Sequence, residues 1–145
     1  MLKGSLPEVF LDTDVCFDIL SKREPHFEHS IKLLELAADD RISLMISESS
    51  LANLIYLSFD IYKIENASEK LTDFIKATKV VNGGKLVMLQ ALKSLFKDKE
   101  DALQYYTAQQ HEADYFITRN IKDYKTFIEF VPVMTPKEFM GSIDN

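Results

Sequence analysis

What the chain lacks excludes several classes of protein before any motif is read. It has one cysteine, Cys16, which cannot close an internal disulfide, so apolar burial must hold the fold; this is compatible with a reducing compartment, and Cys16 reads as a small buried hydrophobe. Four glycines and four prolines in 145 residues exclude a low-complexity or disordered chain, and no segment recurs at the roughly 20–50-residue period of a repeat protein. No run approaches the ~20 apolar residues needed to cross a bilayer. Lys3 and Glu8 interrupt the short apolar pieces before Asp12, so no signal-peptide core is expected and a cytoplasmic location is. Positive charge is also scarce: 17 Lys and Arg face 23 Asp and Glu, a net charge of −6. A broad polyanion-binding surface is excluded, because such surfaces neutralise phosphates with Lys and Arg. Contact with nucleic acid must then be local, with a few basic residues rimming a cleft in which carboxylates hold a cation.

What is present is 46% hydrophobic and patterned. A chain of this length is expected to form one domain over 1–145 around a single core spanning about residues 9–139. Residues 8–12, EVFLD, read as a short buried strand, and VCFDILSKRE changes to helical spacing before Pro25. Phe27, Ile31, Leu34 and Leu36 mark an amphipathic helix over 26–39, and ISLMI a second strand at 42–46. Serines open a helix over 47–62, and 66–77 form another. KVV (79–81) is a third strand, followed by NGG and a helix over 85–96 through Leu86, Leu89 and Leu92, and then by an acidic-headed helix over 97–113. DYFIT (114–118) is a fourth strand; EFVPV (129–133) is a fifth candidate, confined by Pro132 to a sheet edge. Short apolar strands alternating with helices predict an α/β fold, a three-layer αβα sandwich with a central, mainly parallel sheet of four or five strands.

The chemistry resides in acids placed at or beside the strand ends, where open parallel sheets bind ligands. Asp12 closes the first strand, Asp101 stands in the opening turn of the helix before DYFIT, and Asp123 follows that strand in TRNIKDY. Converging carboxylates repel unless protonated or neutralised by a cation. Oxygen ligands without His or Cys select magnesium or manganese over zinc. Each acid also has a structural reading. Asp14 caps a helix starting at Val15; Asp98 with Asp101 has the spacing of a capping pair; Glu100 is solvated; Asp123 is a turn residue near Asn120. The case rests on the three acids meeting in one pocket, close enough to share an ion.

Order and spacing of these segments give a resemblance. FLDTDV, EDALQYYTA and YFITRNIKDY resemble the acid-bearing segments of PIN-domain nucleases, close to VapC-like toxins, with Asp12, Asp101 and Asp123 at the family's acidic positions. In ISESSLANL, Asn53 stands where the family commonly has glutamate, and Glu48, five residues away, does not replace it. The resemblance implies a magnesium-dependent endoribonuclease (manganese being the alternative ion) acting on RNA as the toxin of a toxin–antitoxin pair, with an antitoxin partner and a homodimeric state. It implies catalytic roles for Asp12, Asp101, Asp123 and Asn53, metal binding by the three acids, orienting roles for Asp14, Asp98 and Asn120, and RNA contact by Arg119 and Lys122. Two other readings stay open. Asn53 fits a PIN-like RNA-binding or regulatory module that cleaves nothing. DTDV superficially fits a phosphatase with Asp12 as nucleophile, though no downstream lysine motif supports it.

His26 and His29, near Glu28, are spaced as a surface pair rather than a metal site, and His111 beside Glu112 reads as a helix end. Tyr105, Tyr106, Phe116 and Phe127 are read as core residues before base-stacking ones. Ile55, Phe59, Tyr62, Leu71 and Phe74 offer apolar surface for internal packing or for a partner's helix.

Overall fold

A computed structural model describes residues 5–124 and 130–143. Five strands, β1 (Glu8–Leu11), β2 (Ser43–Ser47), β3 (Lys79–Val81), β4 (Tyr115–Ile117) and β5 (Val133–Met134), form one sheet in the order β3-β2-β1-β4-β5. Every pairing is parallel, with Phe10 beside both Met45 and Phe116 in register. A parallel sheet needs cover on both faces. The alternation of side chains along the strands supplies two cores. Val9, Leu11, Leu44, Ile46 and Ile117 point to one, Phe10, Met45 and Phe116 to the other.

On the first face pack α1 (Thr13–Ser21), α2 (Phe27–Ala38), α3 (Glu48–Tyr56), α4 (Ala67–Lys76) and α8 (Pro136–Ile143). On the second lie α5 (Gly84–Lys93), α6 (Lys99–Gln110) and α7 (Ile121–Tyr124), around stacked Phe10 and Phe116 and the rings of Tyr105 and Tyr124. The architecture is the three-layer α/β sandwich expected from the sequence. Tyr105 and Phe116 are core residues; Phe127 lies outside the described residues. Among the described residues, no helix is long and apolar enough to cross a membrane.

Three local expectations are corrected. The helix assigned to Val15 begins two residues earlier, at Thr13, so Asp12 rather than Asp14 occupies its N-cap position and Asp14 falls in the first turn. The fifth strand begins after Pro132 rather than at 129, because proline brings no N–H to a ladder; its carbonyl accepts the Phe116 N–H at 2.8 Å. Of the expected segment, Glu129 lies outside the described residues. The helix over 47–62 is not uniform: after Tyr56 it widens into a π-helical turn, Leu57–Ile61. Gly83 permits the close approach of the β3–α5 turn to α6, since a Cβ there would stand 2.6 Å from Thr107 Oγ1.

Candidate active site

The carboxyl end of β1 supplies the first acid. Asp12 ends the strand with its N–H bonded to the Ile117 carbonyl, and its own carbonyl accepts from Val15 and Cys16, which opens α1. Its side chain makes no capping bond, leaving the carboxylate available. Thr118, just beyond β4, donates its hydroxyl to Asp12 Oδ2 at 2.7 Å and accepts the Asn120 N–H. Tyr124, fully buried at the end of α7, places its hydroxyl 3.4 Å from the same oxygen and also hydrogen-bonds Asp101. One phenol thus bridges two of the acids.

Helix α6 brings in the second acid. Asp98 is its N-cap, accepting from the N–H groups of Glu100 and Asp101, which confirms the capping role of Asp98. Asp101 in the first turn and Gln104 one turn on share a face. Gln104 is buried; its Oε1 accepts from the Thr13 N–H and the Ser50 hydroxyl, and its amide steadies Asp12. Through Ser50, Ser47 and Thr13 this network ties the openings of α1, α3 and α6 together behind the acids.

Asp12, Asp14, Asp98, Glu100, Asp101 and Asp123 line a single cavity of about 340 Å³, with Asn53 and Asn120. The electrostatics follow from crowding. Burial raises the Asp12 carboxyl from 3.8 to about 6, with Asp14 adding repulsion and Thr118 opposing. Burial, then Asp12 and Asp98, raise Asp101 to about 7. The Tyr124 phenol is pushed well above its ordinary value by burial and by both acids, so it stays a donor. Glu100, expected to be merely solvated, is exposed yet stands on the wall, its carboxyl raised by burial and by Asp98 and Asp14.

The side chains lining this cavity offer oxygen donors and no imidazole or thiol, the donor set a hard divalent cation takes. The acids share the cavity without forming a finished cage. Among the described residues, no group of three or more His, Cys, Asp or Glu side chains is gathered tightly enough to hold a metal ion. Glu48 is exposed and borders a different, small cavity, so it does not stand in for the glutamate absent at Asn53.

The basic residues are spread over more than one cavity. Arg119 is already paired, its Nε 2.7 Å from Asp18, a carboxylate with no exposed surface. Lys122 borders an adjoining cavity of about 360 Å³ that shares Asp98, Asp101 and Asp123 with the first. Sequence reasoning missed Lys97 beside it, and Arg23 on the wall of the acid cavity. Arg23 lies 4.8 Å from the centre of the Phe17 ring, which packs tilted against Tyr62 at 4.9 Å, so one wall is a cation over one aromatic face with a second ring beside it. Thr118, Gln104 and Tyr124 were missed as well. Nothing in their local spacing marks them, because each meets Asp12 across roughly 90 or more residues of chain.

A sequence model described as PIN domain matches residues 8–122. Ribonuclease VapC1 of Aquifex aeolicus is 24% identical over 137 residues, covering 91% of this chain and 92% of that protein. Two solved structures share the fold. VapBC2 from Rickettsia felis, bound to a DNA fragment from its promoter, is 22% identical with a TM-score of 0.66, covering 88% of this chain and 98% of its own. A toxin–antitoxin complex from Klebsiella pneumoniae is 23% identical with a TM-score of 0.64, covering 88% and 97%.

Proposed function

This chain belongs to the PIN-domain family, and from that premise we propose that it is a divalent-metal-dependent endoribonuclease, the toxin of a toxin–antitoxin pair. The observation that carries the reading is the cavity in which acids from β1, α6 and α7 converge, two of them held by one buried phenol. Asp12, Asp101 and Asp123 would hold magnesium or manganese, with Asn53 as a neutral oxygen donor and Asp14, Asp98 and Asn120 orienting ligands. A cation bound there supplies Lewis-acid stabilisation of the developing phosphoryl charge and a more acidic water. The chain's own work is positional. Thr118, Tyr124 and Gln104 fix the Asp12 carboxylate, and the Tyr62–Phe17–Arg23 wall offers faces for a base and a cation for a phosphate.

The names of the similar proteins, a ribonuclease and members of toxin–antitoxin complexes, support the same reading. A protein partner also suits the surface. Ile55, Phe59 and Tyr62 are exposed, and Tyr62 lines the cavity, a face for an antitoxin segment; the leucines of α5 form a second face for a homodimer. The test uses purified protein and structured RNA: cleavage only with added magnesium or manganese, and loss of at least about a hundredfold in rate for Asp12→Asn, is the expected outcome. Metal-independent cleavage, or full activity of Asp12→Asn, sinks the proposal. A second reading, a PIN-like module that binds RNA without cutting it, draws on Asn53, which removes one carboxylate from the cavity wall. It predicts RNA binding with no cleavage under any divalent ion.

A further inference from the structure

Beside the acid cavity lies a second one, of about 320 Å³, lined by Pro25, His26, His29, Arg119, Thr135, Pro136 and Lys137. Its composition is the reverse of its neighbour's. No carboxylate lines it; Arg119, Lys137 and two imidazoles do. The nearby Glu138 is occupied at the start of α8, where its Oε1 accepts the Thr135 N–H and its own N–H bonds the Thr135 hydroxyl. In a chain of net charge −6 this is a local cationic hollow with ring-bearing walls.

The hollow is built rather than incidental. Asp18, without exposed surface, sits behind it and pairs with both Arg119 (2.7 Å) and Arg23 (3.7 Å). One buried carboxylate therefore sets two guanidinium groups, and each faces a different cavity: Arg23 the acid one, Arg119 the second. Asp18 offsets the charge of Arg119, which lines the hollow, and Lys137 adds a second cation there. The cavities also run on from each other in the chain. Arg23 and Asn120 line the first; Pro25 and Arg119, their near neighbours in sequence, line the second.

We propose that this cavity is a nucleotide subsite that takes one base and phosphate of the RNA strand away from the cleaved bond. The base lies against the rings of His26, His29 and Pro136, and the phosphate meets Arg119 and Lys137. The chemistry matches how unpaired RNA is bound, with bases laid on imidazole or guanidinium planes and phosphates on Arg and Lys. Rings alone would suit many apolar ligands; rings with two cations, linked to the acid cavity through the Arg119–Asp18–Arg23 contacts, suit a polyanion carrying flat bases. The inference rests on the RNA-cleaving reading above.

The test compares wild type with the His29→Ala/Lys137→Ala double variant and with Lys137→Arg, each first shown to melt as wild type does. Affinity for a fluorescein-labelled single-stranded RNA of about twelve nucleotides, measured by anisotropy in EDTA, is expected to fall about tenfold in the double variant, and to be held within about twofold by Lys137→Arg. With magnesium, KM for the same RNA rises while kcat holds, and kcat/KM for an RNA of about three nucleotides, too short to reach the subsite, is unchanged. Equal effects on long and short RNA, or none on either, overturn the subsite. So does a labelled poly-glutamate peptide that binds wild type but not the double variant while RNA affinity is unchanged, which would assign the hollow to a protein segment. Wild type that neither binds nor cleaves RNA brings down the ribonuclease reading and the subsite with it; wild type that cleaves, with variants indistinguishable from it, brings down the subsite alone.

Discussion

Asp12 is the residue on which the site turns, and its environment makes a measurable statement about stability. Its folded carboxyl is raised to about 6 from 3.8, chiefly by burial. A raised carboxyl means that the folded chain holds a proton the unfolded chain has lost. Below about pH 4 both states are protonated and nothing is lost; between about pH 4 and 6 stability falls as pH rises, then levels off. Two pH units correspond to about 3 kcal/mol, an order-of-magnitude figure. Asp12→Asn keeps an oxygen to accept the Thr118 hydroxyl and removes the charge. Denaturant unfolding in EDTA at pH 8 is expected to show the variant about 2–3 kcal/mol more stable than wild type, and at pH 4 the two nearly equal. A variant less stable than wild type at pH 8 would show that the Asp12 charge is not a burden on the fold. The acids were legible as residue types; their raised carboxyls were not, since these depend first on burial, then on Asp14 beside Asp12 and on Asp12 and Asp98 beside Asp101, which only folding arranges.

At the scale of the element, α6 carries two duties on its first turns. Its N-cap Asp98 accepts two backbone N–H bonds while its side chain also borders both acid cavities. The two duties separate by substitution. Asp98→Asn retains the cap acceptor and is expected to unfold within about 0.5 kcal/mol of wild type, whereas Asp98→Ala should cost about 1 kcal/mol, read from urea unfolding midpoints. Equal losses in both would assign the effect to charge instead of the cap. This cap was readable from DKED, because capping is a local interaction. The start of α1 was misplaced for the complementary reason. Asp12 and Asp14 are both good capping types, and what chose between them was the Asp12 N–H bond to Ile117, a contact with β4 a hundred residues away. Helix α5 shows the limit of periodicity. Leu86, Leu89 and Leu92 identify the helix, yet they are 75%, 45% and 66% exposed while Val87 and Ala91 pack inward. An apolar stripe says that a surface will be covered and leaves open by what.

For the whole molecule that uncovered stripe is the main unsolved burial. Leu86, Met88, Leu89, Leu92 and Leu95 are all exposed large apolar side chains on or just after α5, the kind of surface that marks an interaction site. The proposed homodimer across it gives a direct expectation: wild type sediments as a dimer, and Leu86→Lys with Leu92→Lys sediments as a folded monomer, since neither side chain belongs to the core, melting lower only by what association contributed. A wild-type monomer at tens of micromolar would remove the dimer proposal and leave the nuclease reading intact. The charge distribution belongs to this scale too. A net −6 hides an acidic cavity with Arg23 on its wall, Lys97 and Lys122 on the cavity that shares its acids, and Arg119 and Lys137 on the cationic hollow.

By itself the sequence determined the layers and the order of the strands in the chain, because strand alternation, helical spacing and caps are local, and it marked Asp12, Asp101 and Asp123 because one acid closes a strand and the others stand in short segments before and after the fourth. Only the tertiary structure decided which side chains hold them. Thr118, Gln104 and Tyr124 reach Asp12, and Asp18 reaches Arg23 and Arg119, across bonds and ion pairs set by the parallel register of β1 and β4 and the seating of α6 beside them. Hydrogen bonds and charges act over a few ångströms in space, and separation along the chain carries no record of them.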